Sequence, residues 1–119
     1  GDKLANICEE FKKYIIDVDR FTRISLNMNN IEGLELRGKE YGYDLDHIVS
    51  KIYGFINNIP PYIISHISNL RIIESSYNRK KSHRSDLPIC DIIEKFELDD
   101  EYKEIINKIL NIKNGKNRY

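Results

Sequence analysis

Apolar residues recur along the first 28 positions at helical spacing, with charges between them. Over residues 3 to 16, "KLANICEEFKKYII", Leu4, Ile7, Cys8, Phe11 and Ile15 share one side, which predicts an amphipathic helix. A second helix is predicted over 18 to 28, where Phe21, Ile24 and Met28 line one side, and "MNNIEG" then breaks the pattern. "LELRGKEYGYDLDHIV" reads as two short strands around a Gly-containing turn, a hairpin ending at Asp46 and His47. "GFINNIPPYIISHIS" reads as a loop: Asn57-Asn58 and Pro60-Pro61 punctuate it, and paired prolines cannot sit inside a helix or a central strand. "NLRIIES" predicts a strand with Leu70 and Ile72 on one face, Arg71 and Ile73 on the other. "SSYNRKKSHRS" predicts a short helix opened by serines able to cap it. Beyond Pro88, "ICDIIEKF" and "DDEYKEIINKILNI" predict two more helices, the second opened by an acidic cap, before a basic tail expected to fray.

This order of elements sets the class as α+β. A chain of 119 residues fits one domain, 1–119, and can bury about two thirds of its unfolded surface. No apolar run approaches the roughly 20 residues needed to cross a bilayer, so no membrane association is expected. The start, "GDKLANICEEF", lacks a basic segment followed by a long apolar one, so no signal peptide is expected. The sole methionine is Met28, which points to a trimmed chain or to a piece of a longer protein.

Cys8 and Cys90 stand far apart with no C-x-x-C pair, which excludes a four-cysteine zinc site and fits a reducing, cytoplasmic compartment. Both are read as small buried apolar residues. Basic and acidic residues balance at 19 each, yet a neutral total leaves a nucleic-acid partner open, because the field of one face is what counts locally. Heavy use of Ile, Asn, Lys and Tyr, all with A/T-rich codons, fits a phage or other mobile element.

Three polar landmarks punctuate this pattern: Asp46-His47, then Asn69, then Asn78, with strand, long loop, strand and short helix between them. The order, the motifs "LDHIVS" and "SNLRIIESSYNRKKS", and the nine-residue step from Asn69 to Asn78 resemble the HNH (His-Me finger, ββα-metal) endonuclease family. The likeness covers about residues 43 to 84, leaving helical flanks at 3–28 and 89–112, and "GFINNIPPYIISHISNL" looks like the variant seen in phage-borne and homing-type relatives.

The resemblance implies a ββα-metal core with His47 as general base and Asp46 and Asn78 as metal ligands. It gives Asn69 the task of holding the two strands together and orienting the histidine. With Asn at the third position this is an H-N-N variant, and it has no cysteine pairs for the zinc many relatives carry. A third protein ligand is not expected, since the position four after Asn78 is Ser82, with His83 one further on.

The residue types fit that chemistry. Imidazole, with a pKa of about 6.5, can take a proton from water at neutral pH. A carboxylate and an amide oxygen make a hard site suited to Mg²⁺, with Mn²⁺ as substitute. Arg79, Lys80, Lys81, His83 and Arg84 are the candidate phosphate contacts, with Lys51 and Arg71 as weaker additions. His66 is read as structural or exposed, Tyr77 as packing or touching substrate, and Asp44 as standing behind the site or on the surface. Neighbours in a regular strand face opposite ways, so Asp46 and His47 can serve one site only where the strand ends and bends.

The expected function is a Mg²⁺-dependent DNA endonuclease, with a homodimer open for double-strand cleavage. Alternatives are the cleavage domain of a larger restriction or toxin-type nuclease, a non-catalytic nucleic-acid-binding module of the same fold, and a structural or interaction protein.

Overall fold

No proline or glycine interrupts residues 2 to 28, and the chain takes them as a single helix, α1 (Asp2–Met28), where the apolar pattern predicts two. Between the two predicted stretches the helix continues through Asp17, whose carboxylate meets Arg20 one turn on, at 3.4 Å. The computed structural model in which this helix is seen describes residues 2–38, 40–81 and 87–113. Along α1, Val18, Phe21, Thr22 and Ser25 are buried, the i, i+3, i+4, i+7 stripe of a packed helix. Leu4, Ile7 and Cys8 are exposed, so the apolar side predicted for residues 3–16 packs only from Phe11 and Ile15 onward, both half-buried.

Of the hairpin predicted over 34–49, only the second strand forms. Leu34–Leu36 make a 3-10 turn, and Arg37 and Gly38 reach the strand β1 (Tyr43–His47) through isolated bridges to Tyr43. Gly38 and Gly42 take φ of 130° and 74°, left-handed values that end any extended run between them.

The segment predicted as loop holds two short helices. α2 (Lys51–Ile56) is capped by Ser50, whose Oγ accepts from the Tyr53 amide at 3.1 Å. It stops where Asn58 turns left-handed at φ 57° and the Ile59 amide returns to the Gly54 carbonyl at 2.8 Å. α3 (Pro61–Ile64) places Pro61 in its first turn, where a missing N–H costs nothing. A 3-10 turn, Ile67–Asn69, leads into β2 (Leu70–Glu74). β2 pairs antiparallel with β1, from Tyr43 opposite Glu74 to His47 opposite Leu70. α4 (Ser75–Lys81) follows directly, then α5 (Ile89–Glu97) and α6 (Asp100–Lys113), all three close to expectation.

The core lies where α1, α3, α5 and α6 meet, built on Phe21, Ile64, Ile92, Phe96, Tyr102 and Ile106. Burying each such side chain contributes about 1.5–3 kcal/mol. Buried polar bonds cross it: Ser65 Oγ donates to the Val18 carbonyl at 2.8 Å, and Tyr102 Oη to the Tyr62 carbonyl at 2.7 Å. Cys8 and Cys90 are both exposed, against the expectation of burial, since each falls on the outer side of its helix. The architecture is α+β, helices with one small two-stranded sheet. Among the described residues no helix is long and apolar enough to cross a membrane.

Candidate active site

His47 is the last residue of β1, and the chain bends immediately after it at Ile48 and Val49. That bend is fixed by Asn69, which is fully buried. Its Oδ1 accepts from the Val49 amide at 2.7 Å, while its Nδ2 donates to the Val49 carbonyl at 3.0 Å and the Ile64 carbonyl at 2.7 Å. One amide thereby ties the exit of β1 to the end of α3, at the point where β2 begins. The Ile48 amide adds a bond to the Asn69 carbonyl at 2.8 Å.

The strand alternation sends Asp46 and His47 to opposite faces of the ribbon. Asp46, 4% exposed, sits opposite Arg71 and accepts from its Nε at 2.9 Å; the guanidinium also lies 5.7 Å from the Tyr77 ring centre. His47, also buried, directs Nε2 to Thr22 Oγ1 of α1 at 2.9 Å. Both nevertheless border one cavity of about 690 Å³, because it opens at the strand end where the chain turns away. Asn78 of α4 borders the same cavity, and α1 forms another wall through Phe11, Ile15, Thr22 and Arg23. Asn69 stands behind this wall and does not line it.

Asp44 sets the position of Asn78. Its two carboxylate oxygens accept from Ser75 Oγ at 2.8 Å and from Asn78 Nδ2 at 3.1 Å, so it ties the start of α4 to β1 and orients the amide. With the amide nitrogen on Asp44, the Asn78 carbonyl oxygen is the atom left to act as a ligand.

As a cation site, Asp46 and Asn78 offer a carboxylate and an amide oxygen to the same cavity. Among the described residues no group of three or more His, Cys, Asp or Glu gathers. A donor set this sparse suits an ion that keeps several waters and takes others of its oxygens from a phosphate, as Mg²⁺ does, and does not suit zinc.

The remaining predicted residues fall as follows. Arg79, Lys80 and Lys81 close α4, with side chains outside the described set; His83 and Arg84 lie outside the described residues altogether. Lys51 borders the cavity and pairs with Asp19 of α1 at 3.1 Å. His66 is a buried strut: Nε2 meets Asp99 Oδ2 at 2.8 Å and Nδ1 meets Ser68 Oγ at 2.7 Å. Asp99 in turn caps α6 by accepting from the Tyr102 amide at 3.1 Å.

Thr22, Arg23 and Arg37, all on the cavity wall, escape the sequence pattern. One signal was available for Thr22: it is a hydroxyl within an otherwise apolar helical stripe, where a polar group must find a partner. Comparison with protein-family models, with curated proteins and with solved structures finds no match to this chain.

Proposed function

We propose that the protein is a divalent-metal-dependent endonuclease of the HNH type that hydrolyses DNA phosphodiester bonds, with β1, β2 and α4 as its ββα-metal core. The observation that carries this reading is that the adjacent pair Asp46 and His47 of β1 and Asn78 of α4, well separated from it in sequence, border one cavity, with the Asn69 amide fixing the bend behind them.

His47 takes the proton of an attacking water, a contribution typically worth about 10²–10⁴ in rate. Asn69 keeps the segment carrying the imidazole from shifting. Asp46 and Asn78 would hold the metal, with Asp44 keeping the Asn78 amide in place. When bound, Mg²⁺ supplies charge stabilisation for the phosphate and the departing 3′ oxygen. Arg23 and Arg37 on the cavity walls are the candidate phosphate contacts there, while Lys51 on the same wall is paired with Asp19. By analogy with the family, the products carry 5′-phosphate and 3′-hydroxyl ends.

A second reading, a nucleic-acid-binding module of the same fold without catalysis, is favoured by one contact. Arg71 already supplies a cation to Asp46. Incubation with supercoiled plasmid separates the two. Nicking in Mg²⁺ that disappears with EDTA, and falls about 10²-fold or more in His47→Ala, is expected. Plasmid left intact in Mg²⁺ and Mn²⁺ but shifted on a gel points to the binding module, and undiminished cutting by His47→Ala removes this site from the chemistry.

A further inference from the structure

We propose that the first two turns of α1, residues 3–10, pair antiparallel with the same segment of a second copy of this chain. α1 carries a stripe of positions alternately three and four apart, Leu4, Ile7, Phe11, Tyr14, Val18 and Phe21, the spacing of a helix that packs lengthwise against another. The later part of the stripe is used inside the protomer. Val18 and Phe21 lie in the core, the Tyr14 hydroxyl donates to the Ile59 carbonyl at 2.8 Å, and the Phe11 ring stands 5.0 Å from that of Phe55 on α2. The first part faces solvent: Leu4 is 65% exposed and Ile7 51%. An apolar stripe that runs on past the body of the protein at this spacing fits a second helix.

Charge identifies that helix. Lys3 and Glu10, two turns apart, flank the stripe on one side, each directly before a stripe position, and both are exposed. With Leu4 set antiparallel against Ile7 of the partner, each Lys3 falls beside Glu10 of the partner, and the two-fold axis makes this pair twice. In a parallel pair Lys3 and Glu10 would face Cys8 and Ile15, which offer no opposite charge. Bulk opposes the parallel pair as well. α2 covers the stripe at Phe11, so parallel copies would drive their α2 helices into one space, whereas the antiparallel crossing sends the two bodies to opposite ends. Over residues 2–10 three acids, Asp2, Glu9 and Glu10, stand against Lys3 alone, which disfavours an anionic membrane or a nucleic-acid backbone as the partner. The shared surface is small, so the dimer is weak, dissociating over roughly 10–100 µM. It does not depend on the nuclease reading. The paired segment leads directly into the stretch of α1 that walls the cavity from Phe11 on, so the dimer holds two cavities in fixed relation.

Sedimentation velocity in low salt, from about 5 µM to about 1 mM protein, tests this together with melting curves. The set is wild type, Ile7→Asp, Lys3→Glu, Glu10→Lys and the double variant with both charge reversals. Wild type should pass from the mass of one chain to that of two over this range. Ile7→Asp should stay monomeric throughout with an unchanged melting midpoint, because Ile7 lies outside the core. Each single charge reversal should weaken the dimer about tenfold, and the double variant should restore it, since both pairs then re-form with their ends exchanged. A wild type that remains monomeric at about 1 mM overturns the proposal. So does a dimer indifferent to Ile7→Asp, and so do single reversals that the double variant fails to rescue. Should Ile7→Asp fail to fold, the charge reversals, both on exposed side chains, still decide.

Discussion

Asn69 shows how much one buried amide can do. All three of its bonds go to backbone groups, and two of the partners belong to Val49, at the exit of β1. Replacing it by alanine would strand a buried N–H and two carbonyls, at about 1–3 kcal/mol for each group left unsatisfied. Asn69→Ala should therefore lower the urea midpoint by several kcal/mol's worth of stability, and Asn69→Asp should not rescue it, because a carboxylate oxygen would face the Val49 and Ile64 carbonyls. Equal urea midpoints for wild type and Asn69→Ala would contradict this account. Asp46, His47, Asn69 and Asn78 are singled out in the sequence through a resemblance in order and spacing, whereas the fact that three of them border one cavity comes from the structure. Asp44 was legible only as a strand neighbour of Asp46. Its bonds to Ser75 and Asn78 depend on how α4 folds back on β1, which no local pattern encodes.

At the scale of elements, β2, α4, α5 and α6 could be read from periodicity and caps, while the misreadings share a cause: punctuation was given the wrong scope. The apolar pattern divides residues 3–16 from 18–28, although α1 runs through both. The pairs Asn57-Asn58 and Pro60-Pro61 predict a loop over residues 54–68, but they mark the end of α2 and the start of α3. Both helices are too short to be stable alone and exist through packing. Gly54 is the point where α2 approaches its neighbours. A Cβ there would meet the Tyr14 hydroxyl and come within 2.6 Å of Ile64 Cγ1, inside the closest approach real side chains allow. Gly54→Ala is expected to destabilise by about 1–3 kcal/mol through overpacking, despite alanine's better helix propensity. A thermal melt checks this, and an unchanged or higher midpoint would mean that α2 can move away from α1 and α3 at little cost.

For the molecule as a whole, the core is held partly by phenols that must stay neutral. Burial pushes the Tyr102 phenol well above its ordinary value of about 10, with Asp99 adding to the rise and Ser25 opposing it, and burial alone raises Tyr14. Both hydroxyls donate to backbone carbonyls, Tyr102 to Tyr62 at 2.7 Å and Tyr14 to Ile59 at 2.8 Å, and an ionised phenolate has no proton to give. In the unfolded chain each phenol ionises near pH 10, while in the folded protein it holds its proton to higher pH. Above about pH 10 the unfolded state binds fewer protons than the folded one, so stability falls as pH rises. The contribution is complete below that point and is lost through the window above it, at up to about 1.4 kcal/mol per pH unit for each phenol. Urea midpoints should therefore show no loss from these groups between pH 7 and 9, and a steep decline above about pH 10. Tyr102→Phe separates this from ionisation elsewhere. At neutral pH the variant should be less stable by about 1 kcal/mol for the lost hydrogen bond. Above pH 10 its decline should be shallower than that of wild type, so that the two curves converge. Parallel curves would mean that alkaline unfolding comes from other groups, and that the junction of α1, α3 and α6 tolerates a charged oxygen at its centre.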